Sequence, residues 1–224
     1  MRIRPVGAHA LLLDCTTTDD DVPEVDLVEA WRAELWSRRE QGDLVAVEIV
    51  PAASTVLLDG LPDPTATAEQ LTRWAGDVAA ATHRPATADA VARTADRDAT
   101  EVVVPVCFDG PDLPTVADHW KVDVPAVLRR LTDTRFRVAF CGFAPGFPYL
   151  TGLPAELALP RLATPRPRVP AGSVALAGPY AGIYPGASPG GWQLVGSTEL
   201  VLFDVHADPP ARLGPGTSVR MVAT

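Results

Sequence analysis

The sequence predicts an α+β protein of two domains, a ferredoxin-like α/β domain followed by a β-rich barrel or sandwich. Strand and helix patterns alternate through the first hundred residues and end in a polar stretch at 84–100. Beyond that stretch, short strand patterns lie between many glycines and prolines. With 224 residues and 47% hydrophobic side chains, the chain is long enough to bury a core in each half. We therefore expect domains at 1–90 and 91–224.

Six elements of the first half follow one another in the order β-α-β-β-α-β. Apolar residues at helical spacing mark the two helices, and apolar runs bounded by turn residues mark the strands. The segments are 10–13, 27–35, 44–50, 54–58, 67–81 and 101–108. This order is that of a ferredoxin-like domain, whose sheet the strand at 101–108 would complete.

The second half has the pattern of a β-rich domain. Two short helical pieces, at 113–120 and 125–131, precede a strand at 136–140, and no long amphipathic helix follows. Ten of the 23 prolines fall between residues 145 and 189, with short strands such as 173–176 and 200–204 among the turns. Many short strands with glycine and proline between them indicate a barrel or a sandwich.

Composition excludes several classes of function. A net charge of −9 disfavours nucleic-acid binding, which needs a basic face. No apolar run approaches the roughly 18 residues of a membrane span. The three cysteines (Cys15, Cys107 and Cys141) form no CxxC pair and the four histidines no HxxxH pair, so we expect neither disulfides nor a metal site. These features fit a cytoplasmic protein without a nucleic-acid or membrane partner.

The charge is unevenly distributed along the chain. Between residues 134 and 198 the only acid is Glu156, against five arginines, so this segment carries a net charge of +4. The arginines are Arg135, Arg137, Arg161, Arg166 and Arg168. Two interpretations remain open: arginines paired with acids from elsewhere in the chain, or a local site for an anion.

The pattern Gly186-x-Ser188-x-Gly190 is that of a serine-hydrolase nucleophile elbow. Such an elbow is followed by a helix, and its oxyanion hole uses the backbone N–H of the residue after the serine. Here that residue is Pro189, which has no N–H. Ser188 is therefore a candidate ligand contact through its hydroxyl and not a nucleophile. Cys141 has no histidine close by in sequence, which favours a structural role.

Aromatic residues and glycines concentrate in the proline-rich segment. Prolines fix the loops that carry the aromatics, and glycines permit close approach of the backbone. Such rigid loops either fill the barrel or form a pre-organised pocket, and their density favours a pocket.

Four long motifs carry a resemblance to a known family. They read VPVCFDGPDL, FRVAFCGFAPGFPYLTGLP, LPRLATPRPRVPAGSVALAG and GIYPGASPGGWQLVGST. In this order, over residues 102–204, they resemble the family of the B component of 5-oxoprolinase (PxpB), also called allophanate hydrolase subunit 1 or the KipI kinase-inhibitor family. The resemblance implies a cyclophilin-like β-barrel behind the α/β domain.

The resemblance also implies an activity and partners. Members of this family act in the ATP-dependent opening of 5-oxoproline to glutamate with two other proteins. These are a second carboxyltransferase-like subunit, the C component of 5-oxoprolinase, and the lactam-utilisation subunit, its A component. ATP is then a cosubstrate of the complex, with its site on this chain or on a partner, and the chain alone is expected to be inactive. The alternatives are a histidine-kinase inhibitor and a carboxyltransferase or allophanate hydrolase subunit of a urea amidolyase-type system.

The candidate site residues combine an anion clamp with a pocket wall, and no general base is identified. For the clamp they are Arg161, Arg166 and Arg168; for the wall they are Phe143, Gly146, Phe147, Tyr149, Ser173, Tyr184, Ser188, Gly190, Gly191 and Trp192. The chain departs from many relatives at Tyr180, Ala181 and Ser197, where it lacks an amide, a hydroxyl and a guanidinium. These departures bear on the identity of the substrate.

Overall fold

The computed structural model describes residues 1–17, 23–82 and 101–224. The chain divides into two compact units, Met1–Arg97 and Asp98–Thr224. The predicted boundary between residues 90 and 91 lies outside the described residues. In the described parts, no helix is long and apolar enough to cross a membrane, and no group of three or more histidine, cysteine or acidic side chains could hold a metal ion.

The first unit is a four-stranded antiparallel sheet with two helices. Its strands are β1 (Arg2–Val6), β2 (Ala10–Asp14), β3 (Glu48–Pro51) and β4 (Thr55–Asp59), and its helices are α1 (Glu24–Gln41) and α2 (Pro64–Thr82). The strand order is β1-β2-β4-β3. Trp31 and Leu35 of α1 and Leu71 of α2 are buried in one core with Leu13 and Leu58 of the sheet.

One strand assignment in this unit was wrong. The segment expected to complete the sheet forms a strand of the second unit, and β1 takes the edge position beside β2 instead. β1 escapes a search for apolar runs because its sequence, RIRPV, is polar and contains a proline. Pro5 is tolerated because an edge strand can spare one backbone donor. Gly7, at φ 61°, lies in the tight turn that joins β1 to β2.

The second unit contains nine strands and two helices among its described residues. The strands are β5 (Val102–Val106), β6 (Arg135–Cys141), β7 (Pro148–Thr151), β8 (Arg166–Val169), β9 (Ser173–Ala177), β10 (Tyr180–Ile183), β11 (Ser188–Gly190), β12 (Gln193–Ser197) and β13 (Ser218–Ala223). The helices are α3 (Leu113–Trp120) and α4 (Val124–Asp133), with a short 3-10 helix at Ala155–Leu157. The strand predicted at 200–204 is reduced to an isolated bridge between Phe203 and Ala211.

Seven of these strands form a nearly closed barrel in the order β12-β9-β10-β7-β6-β13-β5. Its first and last strands approach each other beyond the end of β5, where Cys107 and Ser197 exchange two backbone hydrogen bonds of 2.8 Å. Closure of this kind removes the exposed edges of the sheet. The predicted barrel is thereby confirmed, as is the α+β class.

The strands of the barrel have two apolar faces. On one face, residues such as Val138, Leu150 and Ile183 pack with Val127 and Leu131 of α4. On the other, a smaller cluster lies beside the separate ribbon formed by β8 and β11. That cluster consists of Phe147, Val169, Ala175, Ala177, Tyr184, Trp192 and Leu194. The candidate site is built on this second face.

Candidate functional site

A cavity of about 340 Å³ lies in the second unit. Its lining residues are Phe143, Phe147, Tyr149, Arg161, Leu162, Ala163, Pro165, Tyr184, Pro189, Gly190, Gly191 and Trp192. We call it the aromatic pocket. The structure thus brings together eight of the thirteen residues named from the sequence.

Phe147 lies at the centre of the pocket wall and is 1% exposed. Its ring meets Tyr184 at 5.1 Å and Trp192 at 5.4 Å between centroids, both edge to face. Tyr149 completes the group, 5.2 Å from Phe147 and 5.5 Å from Trp192. Each edge-to-face pair contributes about 1 kcal/mol beyond area burial, so the four rings form a pre-organised wall.

Two glycines leave room for these rings. A Cβ on Gly182 would lie 2.8 Å from the Trp192 ring and 3.0 Å from Phe147. A Cβ on Gly190 would overlap the Tyr184 hydroxyl. At both positions the space that a side chain would fill is already occupied by an aromatic ring or its hydroxyl, which is the physical reason for glycine there.

Phe143 stands at the rim of the pocket. It is 63% exposed and has φ 68°, in the left-handed region that non-glycine residues avoid. Its ring lies 5.4 Å from Phe147 and 6.3 Å from Tyr184, edge to face in both cases. A strained backbone therefore holds an exposed ring against the wall of the pocket.

Arg161 is the only charged residue in the lining, and it has no acidic partner among the residues that the structure describes. Burial raises the pKa of Tyr149 and of Tyr184, and the positive charge of Arg161 opposes the increase at both phenols. The two phenols therefore stay protonated at neutral pH and can donate hydrogen bonds. The pocket offers one unpaired cation beside two neutral donors.

Arg166 lies behind the wall instead of lining the cavity. Its Nη2 atom donates to Asp112 Oδ1 at 2.7 Å, and its Nη1 atom donates to the Trp192 carbonyl oxygen at 3.4 Å. Asp112 Oδ2 accepts from the Leu194 N–H at 2.6 Å. Sequence reasoning did not name Asp112, although an acid at the start of a predicted helix in GPDLP was a signal that it serves the fold.

The other four residues named from the sequence also lie outside the lining. Arg168 is exposed on β8, and Ser173 is buried at the start of β9. Gly146, at φ 75°, packs so closely on Phe203 that a Cβ would approach its Cβ to 2.7 Å. Ser188 has a buried hydroxyl without a hydrogen-bond partner in the described part of the chain. It begins β11, and β12 follows without an intervening helix, so the geometry of a nucleophile elbow is absent.

Cys141 does not offer a nucleophile at neutral pH. Burial raises the pKa of its thiol to about 11. The thiol lies 3.2 Å from the Leu213 carbonyl oxygen, to which it donates. The reactive form of a cysteine is the thiolate, which is scarce under these conditions.

Residues 1–213 match the sequence profile of the family described as "Carboxyltransferase domain, subdomain C and D". The match covers nearly the whole chain. The chain belongs to this family.

Curated relatives named as the B component of 5-oxoprolinase match part of this family member. The relative from Escherichia coli O157:H7 is 49% identical over 124 residues, which are 54% of this chain and 57% of that protein. The relative from Bacillus subtilis is 44% identical over 124 residues, 54% of this chain and 52% of that protein. The chain thus aligns with little more than half the length of these relatives. The resemblance recognised in the sequence motifs is confirmed.

Solved structures agree with the fold. A conserved uncharacterized protein from Pyrococcus horikoshii is 31% identical, with a TM-score of 0.55, over 100% of this chain and 97% of that one. The urea amidolyase of Kluyveromyces lactis has a TM-score of 0.66 over 99% of this chain and 15% of that one, at 20% identity. The second likeness concerns the fold alone, and it is consistent with a cyclophilin-like barrel.

Proposed function

We propose that this chain is a subunit of an ATP-dependent 5-oxoprolinase, which opens 5-oxoproline to L-glutamate. The observation that carries the proposal is the aromatic pocket with Arg161 as its single charged residue. The names of the curated relatives, which share the motifs around this pocket, support it. The rest of the complex supplies what this chain lacks.

The pocket suits a small, flat ring that carries one carboxylate. The lactam ring of 5-oxoproline would lie against Phe147 and Trp192, and its carboxylate would pair with Arg161, whose guanidinium can donate two parallel hydrogen bonds. The protonated hydroxyl of Tyr149 or Tyr184 would donate to the lactam oxygen. Cavities of this size are typical of small-molecule sites.

ATP would supply the driving force for an otherwise resistant amide. Transfer of the γ-phosphoryl group to the lactam oxygen makes that oxygen a leaving group, and ADP departs. Water then attacks the activated carbon, the phosphoryl group leaves as phosphate, and the ring C–N bond breaks. The residues of this chain would bind and orient the lactam, so that its oxygen meets the phosphoryl donor.

The proposed partners are the second carboxyltransferase-like subunit and the lactam-utilisation subunit, which are the C and A components of 5-oxoprolinase. On this proposal the chain is inactive alone, and ATP binds to the complex. The reaction is assigned to the cytoplasm, where the three cysteines, all unpaired in the structure, would remain reduced.

The test is ATP hydrolysis that depends on 5-oxoproline, measured with the three subunits mixed and with each omitted. We expect turnover to require this chain, and Arg161→Gln to raise KM for 5-oxoproline at least about tenfold, through loss of a charge-assisted pair. Arg168→Gln, an exposed arginine outside the lining, is the matched control and should leave KM unchanged. Full turnover without this chain would overturn the proposal.

A second candidate is a carboxyltransferase subunit, which the family description favours. Carboxyl transfer would require a biotinylated carrier protein. The two functions separate in one measurement: transfer of the carboxyl group from carboxybiotin to an acceptor, catalysed by this chain with its partner, would favour the carboxyltransferase. 5-Oxoproline-dependent ATP hydrolysis without biotin would favour the lactam hydrolase.

A further inference from the structure

A second cleft, of about 650 Å³, lies between the ends of α3 and α4 and the short 3-10 helix. Its lining residues are His119, Trp120, Lys121, Arg130, Asp133, Thr134, Leu153, Pro154, Glu156 and Leu157. We call it the charged cleft. It shares no lining residue with the aromatic pocket.

The apolar floor of the charged cleft is fixed by specific contacts. The indole N–H of Trp120 donates to the Leu157 carbonyl oxygen at 2.9 Å, which ties the end of α3 to the 3-10 helix. The guanidinium of Arg130 lies 5.8 Å from the centroid of the Trp120 ring, as a cation–π pair. Thr134 donates from its hydroxyl to the Arg130 carbonyl oxygen at 2.6 Å. The cleft is therefore pre-formed, with one cation already oriented.

The charges of the cleft are balanced but unpaired. Lys121 and Arg130 are cations, and Asp133 and Glu156 are anions, yet none of the four forms a salt bridge with any residue within the described ranges. Asp133 follows Arg130 by three positions on α4, a spacing at which opposite charges commonly pair. Two charges of each sign thus line one cleft without neutralising each other.

Lys121 adds a conformational observation. It is the sole lysine of the chain, and it caps α3 at φ 55°, in the left-handed region where glycine is usual. A non-glycine residue in this region carries backbone strain, and such outliers concentrate at ligand sites.

We propose that the charged cleft binds a zwitterionic α-amino acid. The ligand carboxylate would pair with Lys121 and Arg130, and its ammonium group with Asp133 or Glu156. A simple anion would leave the two acids unmatched and repelled, and a simple cation would do the same for the two bases. A zwitterion satisfies both sets with charge-assisted hydrogen bonds.

L-Glutamate is the probe, a choice that rests on the proposed function, because the lactam hydrolase would release it beside this chain. The assignment of the cleft itself does not depend on that reaction. Isothermal titration of the whole chain, without ATP or partner subunits, should show one site for L-glutamate. Glutarate, which has the two carboxylates but no ammonium, should bind roughly tenfold more weakly or worse.

Three variants test the cleft. Arg130→Gln should weaken L-glutamate roughly tenfold, through loss of a charged partner of the carboxylate. Asp133→Asn should weaken L-glutamate while leaving glutarate unchanged or tighter, because it removes a repelling acid. Arg161→Gln, in the aromatic pocket, should change neither affinity. An unchanged thermal unfolding midpoint shows that each variant folds.

Three results would overturn the assignment: no binding of L-glutamate, equal binding of glutarate, or loss of binding in the Arg161 variant. Because ATP hydrolysis plays no part in this experiment, failure of the lactam-hydrolase proposal leaves its outcome unaffected. A reconstituted complex with turnover but a chain that does not bind L-glutamate would reject the cleft alone.

Discussion

Asp112 and Arg166 form an ion pair across 54 residues of sequence, with Nη2 of the arginine 2.7 Å from Oδ1 of the aspartate. The same aspartate accepts from the N–H of Leu194, and the same arginine donates to the carbonyl oxygen of Trp192. The pair therefore holds the backbone of the strand that carries Trp192 into the aromatic pocket. Arg166 acts on the pocket through this backbone, whereas Arg161 lines the cavity itself.

Asp112→Asn should lower the free energy of unfolding by about 2 kcal/mol, because a largely buried charged hydrogen bond is lost while the shape is kept. It should also raise KM for 5-oxoproline more than it lowers kcat, because the displaced wall binds substrate less well. Urea unfolding and steady-state kinetics of the complex measure the two effects. Asp118→Asn, an exposed acid on the same helix, is the control.

A double-mutant cycle decides whether the pair acts as a unit. With Arg166→Met added to Asp112→Asn, the losses in unfolding free energy should fall short of additivity by about 1 kcal/mol or more. Strict additivity would show that Asp112 stabilises the fold without Arg166, and the positioning role would be abandoned.

The sequence predicted the pocket wall better than the clamp, for a physical reason. Glycine and proline act locally, so the loops that hold Phe147, Tyr184 and Trp192 could be recognised from their own neighbours. The choice between Arg161 and Arg166 depends on where Asp112 lies, and that is fixed by tertiary contacts alone. β1 was missed for a related reason, since a polar edge strand is stabilised by the partner it pairs with.

Gly190→Ala and Gly191→Ala are adjacent substitutions with opposite expectations. A Cβ on Gly190 would overlap the Tyr184 hydroxyl, so the variant should lose about 1–3 kcal/mol of stability and most of the affinity for 5-oxoproline. A Cβ on Gly191 would meet Pro165 at 3.6 Å, an ordinary contact, so stability should change by less than about 0.5 kcal/mol. Thermal unfolding and KM measure both. Equal tolerance at the two positions would mean that Tyr184 does not fill this space in solution.

Phe143→Ala and Phe143→Gly both remove the ring at the rim and differ only in backbone freedom. Because φ is 68°, the glycine variant should be the more stable of the two by about 1 kcal/mol. Both should weaken 5-oxoproline binding by similar factors, since both lose the ring. Urea unfolding of the pair gives the difference. If alanine were as stable as glycine, the left-handed conformation would not persist in solution.

The three cysteines should differ in reactivity. Cys107 is exposed, whereas burial raises the pKa of Cys15 and of Cys141 to about 11. At pH 8, iodoacetamide should therefore modify Cys107 alone in the folded chain, and all three after denaturation in urea, as read by mass spectrometry. These two thiols ordinarily titrate near 9.0, so the unfolded state loses their protons first as pH rises. Their contribution to stability is then complete below about pH 9 and declines between about pH 9 and 11. Rapid modification of Cys141 in the folded chain at pH 8 would contradict the burial of its thiol.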